Sequence, residues 1–213
     1  LREINDNLVN TINIYGGKAA SLINQEIIYA APYAPELGLV GKPICINVDP
    51  IIETAVSILK GHSPILWCVG YDASHQAYNV NADLIVKAMI SALQNRANNS
   101  WQYQLHQKGF MSKDAELVGQ AKPVQKVILI TPSGGVFDNG KLISTLKYLD
   151  IPALIYNATA NGGMAVKLQE AYNIFNELSA LLPSNFKVQI IGPKELLQEL
   201  FTDKGAGTEI IRS

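Results

Sequence analysis

Two short apolar runs, Pro64–Val69 and Lys126–Ile130, constrain the fold of this chain more than any other feature. Runs of this length and apolarity predict strands covered on both faces, as in a parallel sheet with helices on each side. Each leads through a polar or glycine-rich stretch toward a segment with helical periodicity. The same alternation extends along the chain. Ile4, Leu8, Ile12 and Ile14 predict a helix over residues 3–14, closed by Gly16-Gly17. Ser21–Ala31 and Pro43–Val48 predict extended segments. A helix then starts at Asp49-Pro50, with Asp49 as N-cap and Ile51, Ile52, Ala55, Val56 and Leu59 on one face. Ala82–Leu93 and the segment after Gly162-Gly163 predict further helices, the latter with Val166, Ala171, Ile174, Phe175, Leu178 and Leu181 as its apolar positions. Lys187–Ile191 predicts another strand, Pro193–Leu200 a short helix, and Phe201–Arg212 a glycine-containing loop into a last strand. Strands alternating with helices, without internal repeats, predict an α/β fold: a three-layer α/β/α sandwich on a largely parallel central sheet.

At 213 residues and 48% hydrophobic, the chain can bury one sizeable core, which predicts a single domain over 1–213. Residues 94–123, rich in Asn, Gln and Lys, read as an inserted loop within it. With 17 basic and 18 acidic residues, the formal charge of -1 gives no electrostatic ground for nucleic acid or an anionic membrane as partner. No apolar run is long enough to span a bilayer, and no targeting segment is visible. Cys45 and Cys68 sit in strand-like apolar runs without metal-ligand spacing, which predicts buried free thiols and no protein-held metal.

Three stretches carry chemistry. In Tyr78-Asn79-Val80-Asn81-Ala82-Asp83, two amides two residues apart point to one side of an extended segment, and a carboxylate falls in the first turn of the helix that follows. Both a helix cap and a ligand site fit that pattern. Thr131 to Lys141 is a glycine-rich turn with a hairpin expected at Asn139-Gly140; a plain tight turn and a loop approaching a phosphate are both open. Gly162-Gly163 leaves the amides of a helix N-terminus accessible, with Lys167 within two turns, so that amides, helix dipole and ammonium could converge on an anion. A surface lysine on an ordinary helix is the alternative.

Taken in order, Glu36-Leu37-Gly38-Leu39-Val40-Gly41, the Tyr78–Asp83 stretch, Ser133-Gly134-Gly135-Val136-Phe137, Gly162-Gly163-Met164 with Lys167, and Glu199-Leu200-Phe201-Thr202-Asp203-Lys204-Gly205-Ala206-Gly207-Thr208 resemble the amino-acid kinase family, and within it the N-acetylglutamate kinases. The resemblance implies transfer of phosphate from ATP, with Mg²⁺, to the side-chain carboxylate of N-acetyl-L-glutamate in arginine biosynthesis. By that resemblance Asn79 and Asn81 hydrogen-bond the acetylglutamate, Asp83 orients the catalytic lysines, and Lys167 neutralises the transferred phosphoryl group. It also implies nucleotide contacts from Ser133, Gly134, Gly135, Phe137, Gly162 and Gly163. Lys204, Gly205 and Gly207 would lie where arginine-sensitive relatives bind L-arginine as feedback inhibitor. A homo-oligomer is implied too, in the mitochondrial matrix of a eukaryote or the cytoplasm otherwise.

Thr131-Pro132-Ser133 is closer to fungal-type members than the Thr-Asp-Val of many bacterial ones. Family kinases begin with a strand, a lysine and a glycine-rich phosphate loop, and this sequence starts downstream of them, so the resemblance implies an N-terminally incomplete domain. The competing expectation is the non-catalytic, arginine-sensing kinase-like domain of an N-acetylglutamate synthase.

Overall fold

A computed structural model describes residues 1–23, 26–48, 50–51, 63–98, 124–157, 159–202 and 205–212. They fall into two compact units, Leu1–Ala121 and Lys122–Ser213. Parallel strand pairs occur in both, as expected of the α/β class.

The first unit opens with helix α1 (Arg2–Ile14). Gly16 and Gly17 close it by donating to Asn13 and Ile12 carbonyls. Of its four periodic apolar residues Ile4, Leu8 and Ile14 are exposed, and Ile12 is half-buried. The helix is tied to strand β1 (Ala19–Ser21) by polar bonds instead: Ser21 Oγ donates to Asn5 Oδ1 at 2.7 Å, and Asn13 exchanges two bonds with the Ala19 backbone. Strands β2 (Ile28–Pro32) and β3 (Val40–Ile46) are antiparallel, with a bulge at Tyr29/Ala30.

The run Pro64–Val69 is not one strand. β4 (Ser63–Ile65) pairs parallel with β1, Leu66–Cys68 crosses over, and β5 (Val69–Tyr71) pairs with β2 and with β6 (Ala77–Val80). Its apolarity serves a change of sheet. β2, β3, β6 and β5 close into a small barrel whose core holds Ile28, Ala30, Tyr78 and Val80. A Cβ at Gly41 of β3 would stand 2.7 Å from the Tyr78 Cβ, so glycine is what lets β3 and β6 approach there.

Helix α2 (Ala82–Asn98) lays Ile85 on that core and runs past Leu93, so residues 94–98 of the expected inserted loop are helical. Residues 99–123 lie outside the described residues, as do Asp49 and 52–62. Pro50 and Ile51 are helical, and Ile51 packs against the core. The cysteines differ from expectation. Cys45 is exposed, because its register partner Tyr29 also faces outward, and Cys68 is half-buried; both are free thiols.

The second unit is built on a four-stranded sheet in the order β10-β12-β11-β7. β7 (Lys126–Ile130) and β11 (Lys187–Ile191) are parallel, β12 (Thr208–Ile211) is antiparallel to β11, and β10 (Thr145–Lys147) is parallel to β12. Register puts Val127, Leu129, Leu146, Val188, Ile190 and Ile210 on one buried face. The other carries Lys126, Lys187, Gln189 and Glu209, so β7 alternates where its sequence predicts continuous burial.

Between β7 and β10 lies the hairpin β8 (Phe137–Asp138) and β9 (Lys141–Leu142), turned at Asn139-Gly140 with φ of 48° and 77°. Both values are the positive ones that a two-residue hairpin turn with the sheet's own twist demands. Helices α3 (Ile151–Tyr156), α4 (Gly162–Glu177) and α5 (Leu196–Phe201) complete the unit. α4 buries Leu168, Ala171, Ile174 and Phe175, while Val166 is exposed, so the apolar face begins at Leu168. Phe175 stacks on Tyr148 at 5.2 Å between ring centroids and meets Phe186 edge-on at 5.4 Å. Among the described residues no helix is long and apolar enough to cross a membrane.

Candidate functional site

In the first unit, β6 and α2 turn the Tyr78–Asp83 stretch into a fixed geometry. Tyr78 and Val80 point into the barrel core and Asn79 is exposed, as strand alternation requires. Asn81, also exposed, is the residue on which α2 begins. Its carbonyl accepts the N–H groups of Leu84 and Ile85, and its Oδ1 accepts the Asp83 N–H at 2.8 Å. The capping arrangement open to this stretch is therefore present. Capping occupies the Oδ1 and leaves the Asn81 amide nitrogen, with the Asn79 amide, on the outward side. Asp83 is 9% exposed. Its position beside Cys68 is registered electrostatically: burial first, and then the Asp83 charge, push the Cys68 thiol up from its ordinary value.

The second unit brings two of the sequence stretches together, the Ser133–Phe137 loop and the closing Gly-Ala-Gly-Thr. Thr131–Gly134 is a turn closed by the Gly134 N–H on the Thr131 carbonyl at 3.2 Å, and Ser133 Oγ donates to the Gly135 carbonyl. Thr208, fully buried, is the link. Its Oγ1 accepts the Val136 N–H at 2.8 Å and donates to the Ile143 carbonyl at 2.7 Å. At Gly207, with φ of +67°, an added Cβ would lie 2.1 Å from the Ile190 carbonyl oxygen and 2.7 Å from that of Gly134. Backbone packing alone thus accounts for this glycine. Gly205 has open space around it, and Lys204 lies outside the described residues.

The backbone at Ala206 is held by two buried side chains, Glu199 and Gln189. Buried Glu199 accepts Lys126 Nζ at 2.6 Å with one oxygen and the Ala206 N–H at 3.2 Å with the other. Gln189 donates to the Ala206 carbonyl, and Lys187 pairs with Glu209. Burial pushes the Glu199 carboxyl up, but the bonds from Lys126 and Ala206 and the charges of Lys126 and Lys187 outweigh it. The net effect is a carboxyl held below its usual range.

Asn161 precedes α4 without a side-chain cap, and nothing stands within 4 Å of where a Cβ would be on Gly162 or Gly163. The first-turn amides of a 16-residue helix are thereby accessible, with Lys167 half-buried farther along it. Phe137 is exposed on β8. Thr208 and Glu199 lie in the closing Glu199–Thr208 stretch, but their roles depend on partners distant in sequence and carry no local signal.

No family model matches the chain. The acetylglutamate kinase of Syntrophobacter fumaroxidans is 30% identical over 231 residues, covering 99% of this chain and 64% of that protein. The acetylglutamate kinase of Syntrophus aciditrophicus is 28% identical, covering 98% and 64%. The chain thus spans less than two thirds of the length of these curated relatives. Among solved structures, a Streptococcus mutans protein superposes with a TM-score of 0.68 at 20% identity, covering 98% of this chain and 66% of that one. Giardia carbamate kinase gives 0.60 at 11% identity, covering 98% and 68%. N-acetylglutamate synthase from Neisseria gonorrhoeae, complexed with coenzyme A and L-arginine, gives 0.58 at 18%, covering 92% and 38%.

The chain has an amino-acid kinase-like α/β fold. Its sequence similarity supports the amino-acid kinase family, and the sequence relatives named above are acetylglutamate kinases.

Proposed function

We propose that this chain is part of an N-acetyl-L-glutamate kinase, a phosphotransferase of arginine biosynthesis that uses Mg-ATP to phosphorylate the side-chain carboxylate. The carrying observation is the junction of β6 and α2, where outward-lying Asn79 and Asn81 precede a mostly buried Asp83, in a chain similar to acetylglutamate kinases along nearly its whole length. In this account residues 1–213 form one kinase domain of the fungal-type variant.

Asn79 and Asn81 donate to the acetylglutamate, Asn81 through the nitrogen its capping bond leaves over. Asp83 organises the catalytic cations. It is not needed as a base, since the attacking carboxylate is already ionised at pH 7. Lys167 and the open amides of Gly162 and Gly163 stabilise negative charge on the transferred group, and Ser133, Gly134, Gly135 and Phe137 line the nucleotide. The uncovered glycines at the start of α4 suit a phosphate, because backbone can approach it closely. Mg²⁺ accompanies ATP and neutralises its phosphates; positioning and electrostatics supply the remainder of phosphoryl-transfer catalysis. The proposed protein is a homo-oligomer of the mitochondrial matrix in a eukaryote, or of the cytoplasm otherwise.

Similarity to the Neisseria synthase favours a second reading, a non-catalytic arginine-sensing domain with Lys204, Gly205 and Gly207 at the arginine. The presence of Asn79, Asn81, Asp83 and Lys167 together supports the kinase. The test is ADP release by the full-length protein with Mg-ATP, with and without N-acetyl-L-glutamate. Acceptor-dependent ADP release is expected. Absence of ADP release from folded protein, together with specific L-arginine binding, would transfer the assignment to the sensing domain.

A further inference from the structure

One carboxylate organises the turn between β5 and β6. Asp72 Oδ1 accepts the Ser74 N–H at 2.8 Å, the Ser74 hydroxyl at 2.7 Å and the Gln76 N–H at 3.0 Å. The backbone closes the same turn twice more, Asp72 N–H to the Gln76 carbonyl and His75 N–H to the Asp72 carbonyl. The turn is thus complete without Oδ2. That oxygen instead accepts the Tyr78 hydroxyl at 3.0 Å, and Tyr78 is the first residue of the asparagine-aspartate stretch.

We propose that Asp72 is a positioning residue for the acceptor site, acting through Tyr78 to fix the placement of β6 and hence of Asn79 and Asn81. The inference rests on the acetylglutamate reading of those asparagines. β6 is four residues long, and its register with β3 consists of Val40↔Asn79 and Gly41↔Val80. A slip of one residue would turn Tyr78 and Val80 outward and both asparagines inward. Two contacts oppose that slip. The Tyr78 side chain lies over Gly41, at the one place where β3 has no side chain, and its hydroxyl is bonded to Asp72. Asp72 meanwhile stays ionised. The Ser74 hydroxyl first, against a smaller opposing effect of burial, and then the Gln76 and Ser74 N–H groups and the Tyr78 hydroxyl bring its carboxyl to about 2. Its charge therefore persists across the pH range of a kinase assay.

Calorimetric titration of the full-length protein with N-acetyl-L-glutamate, and separately with Mg-ADP, tests this on wild type, D72A, D72N, Y78F and D72A/Y78F. The acceptor Kd should rise about tenfold in D72A and in Y78F, the size of effect one charge-assisted hydrogen bond carries. The double variant should be no weaker than D72A, and Mg-ADP binding should not change. D72N should bind nearly as wild type does, since its oxygen still serves the turn and its amide can donate to the Tyr78 oxygen. Y78F leaves the bonds within the turn intact and keeps the test open where D72A fails to fold. Equal weakening of both ligands, or of neither, in folded Y78F overturns the positioning role. Failure of the wild-type protein to bind N-acetyl-L-glutamate overturns the acceptor reading itself, and this inference with it.

Discussion

Thr208→Val tests how the second unit holds its glycine-rich loop. Valine matches threonine in shape, so packing is conserved while both bonds of Oγ1 are lost: that from the Val136 N–H at 2.8 Å and that to the Ile143 carbonyl at 2.7 Å. The consequences are unequal. Val136 is 1% exposed, so its N–H is left buried without a partner, whereas Ile143 is only half-buried and its carbonyl can reach water. An orphaned buried donor costs about 1–3 kcal/mol, and the lost bond to a partly solvated carbonyl adds at most ~1 kcal/mol, so about 2–3 kcal/mol is expected. Thr208→Ser keeps both bonds and loses one methyl, for about 1 kcal/mol. Native-state hydrogen exchange read at Val136 and at β11 amides resolves the second unit without requiring whole-chain two-state unfolding. The valine variant should speed Val136 exchange by about thirtyfold, while serine should leave it within ~fivefold of wild type. Unchanged Val136 protection in Thr208→Val would refute the argument that Thr208 pins the loop.

Gly207→Ala would place a Cβ against the Ile190 and Gly134 carbonyl oxygens at a positive φ, and should destabilise the second unit by about 3 kcal/mol or prevent its folding, measurable by urea denaturation. Glu199 has a carboxyl held below its ordinary value, so its stabilising contribution is complete above the unfolded carboxylate pKa and is lost as pH falls through the folded one. Acid titration should therefore release Ala206 N–H protection only below the ordinary glutamate range, and Glu199→Gln should abolish that pH dependence. Asp83→Asn in the full-length protein should lower kcat by at least about a hundredfold with less effect on the acceptor KM if Asp83 organises cations. A wild-type rate would leave it a helix residue only.

What could be read from sequence was local. The Asn139-Gly140 hairpin follows from two residues that tolerate positive φ, and the alternation of Tyr78, Asn79, Val80 and Asn81 follows from the period of a strand. The helix start after β6 was legible for the same reason: Asn81 announces it by its chemistry, whatever else that residue does. Properties that depend on distant partners were not legible. Pro64–Val69 looks continuous, but its two ends pair with different strands, and apolarity does not reveal a crossing. The apolar spacing of α1 predicted the helix but not its attachment, which Asn5 and Asn13 make through Ser21 and the Ala19 backbone of β1. Val166 fits the helical period nearly as well as Leu168, and only the packing of α4 separates them. Glu199 and Thr208 matter through groups 73 and 72 residues away, at Lys126 and Val136.

Acyl phosphates react with hydroxylamine to give a hydroxamate that colours on adding ferric iron, which makes the proposed product directly observable. Full-length protein incubated with N-acetyl-L-glutamate, Mg-ATP and hydroxylamine should form hydroxamate in proportion to ADP, and form none when either substrate is omitted. ADP release without hydroxamate, or no turnover with a folded protein that binds both substrates, would contradict the claim that this chain belongs to a kinase of the acetylglutamate side-chain carboxylate.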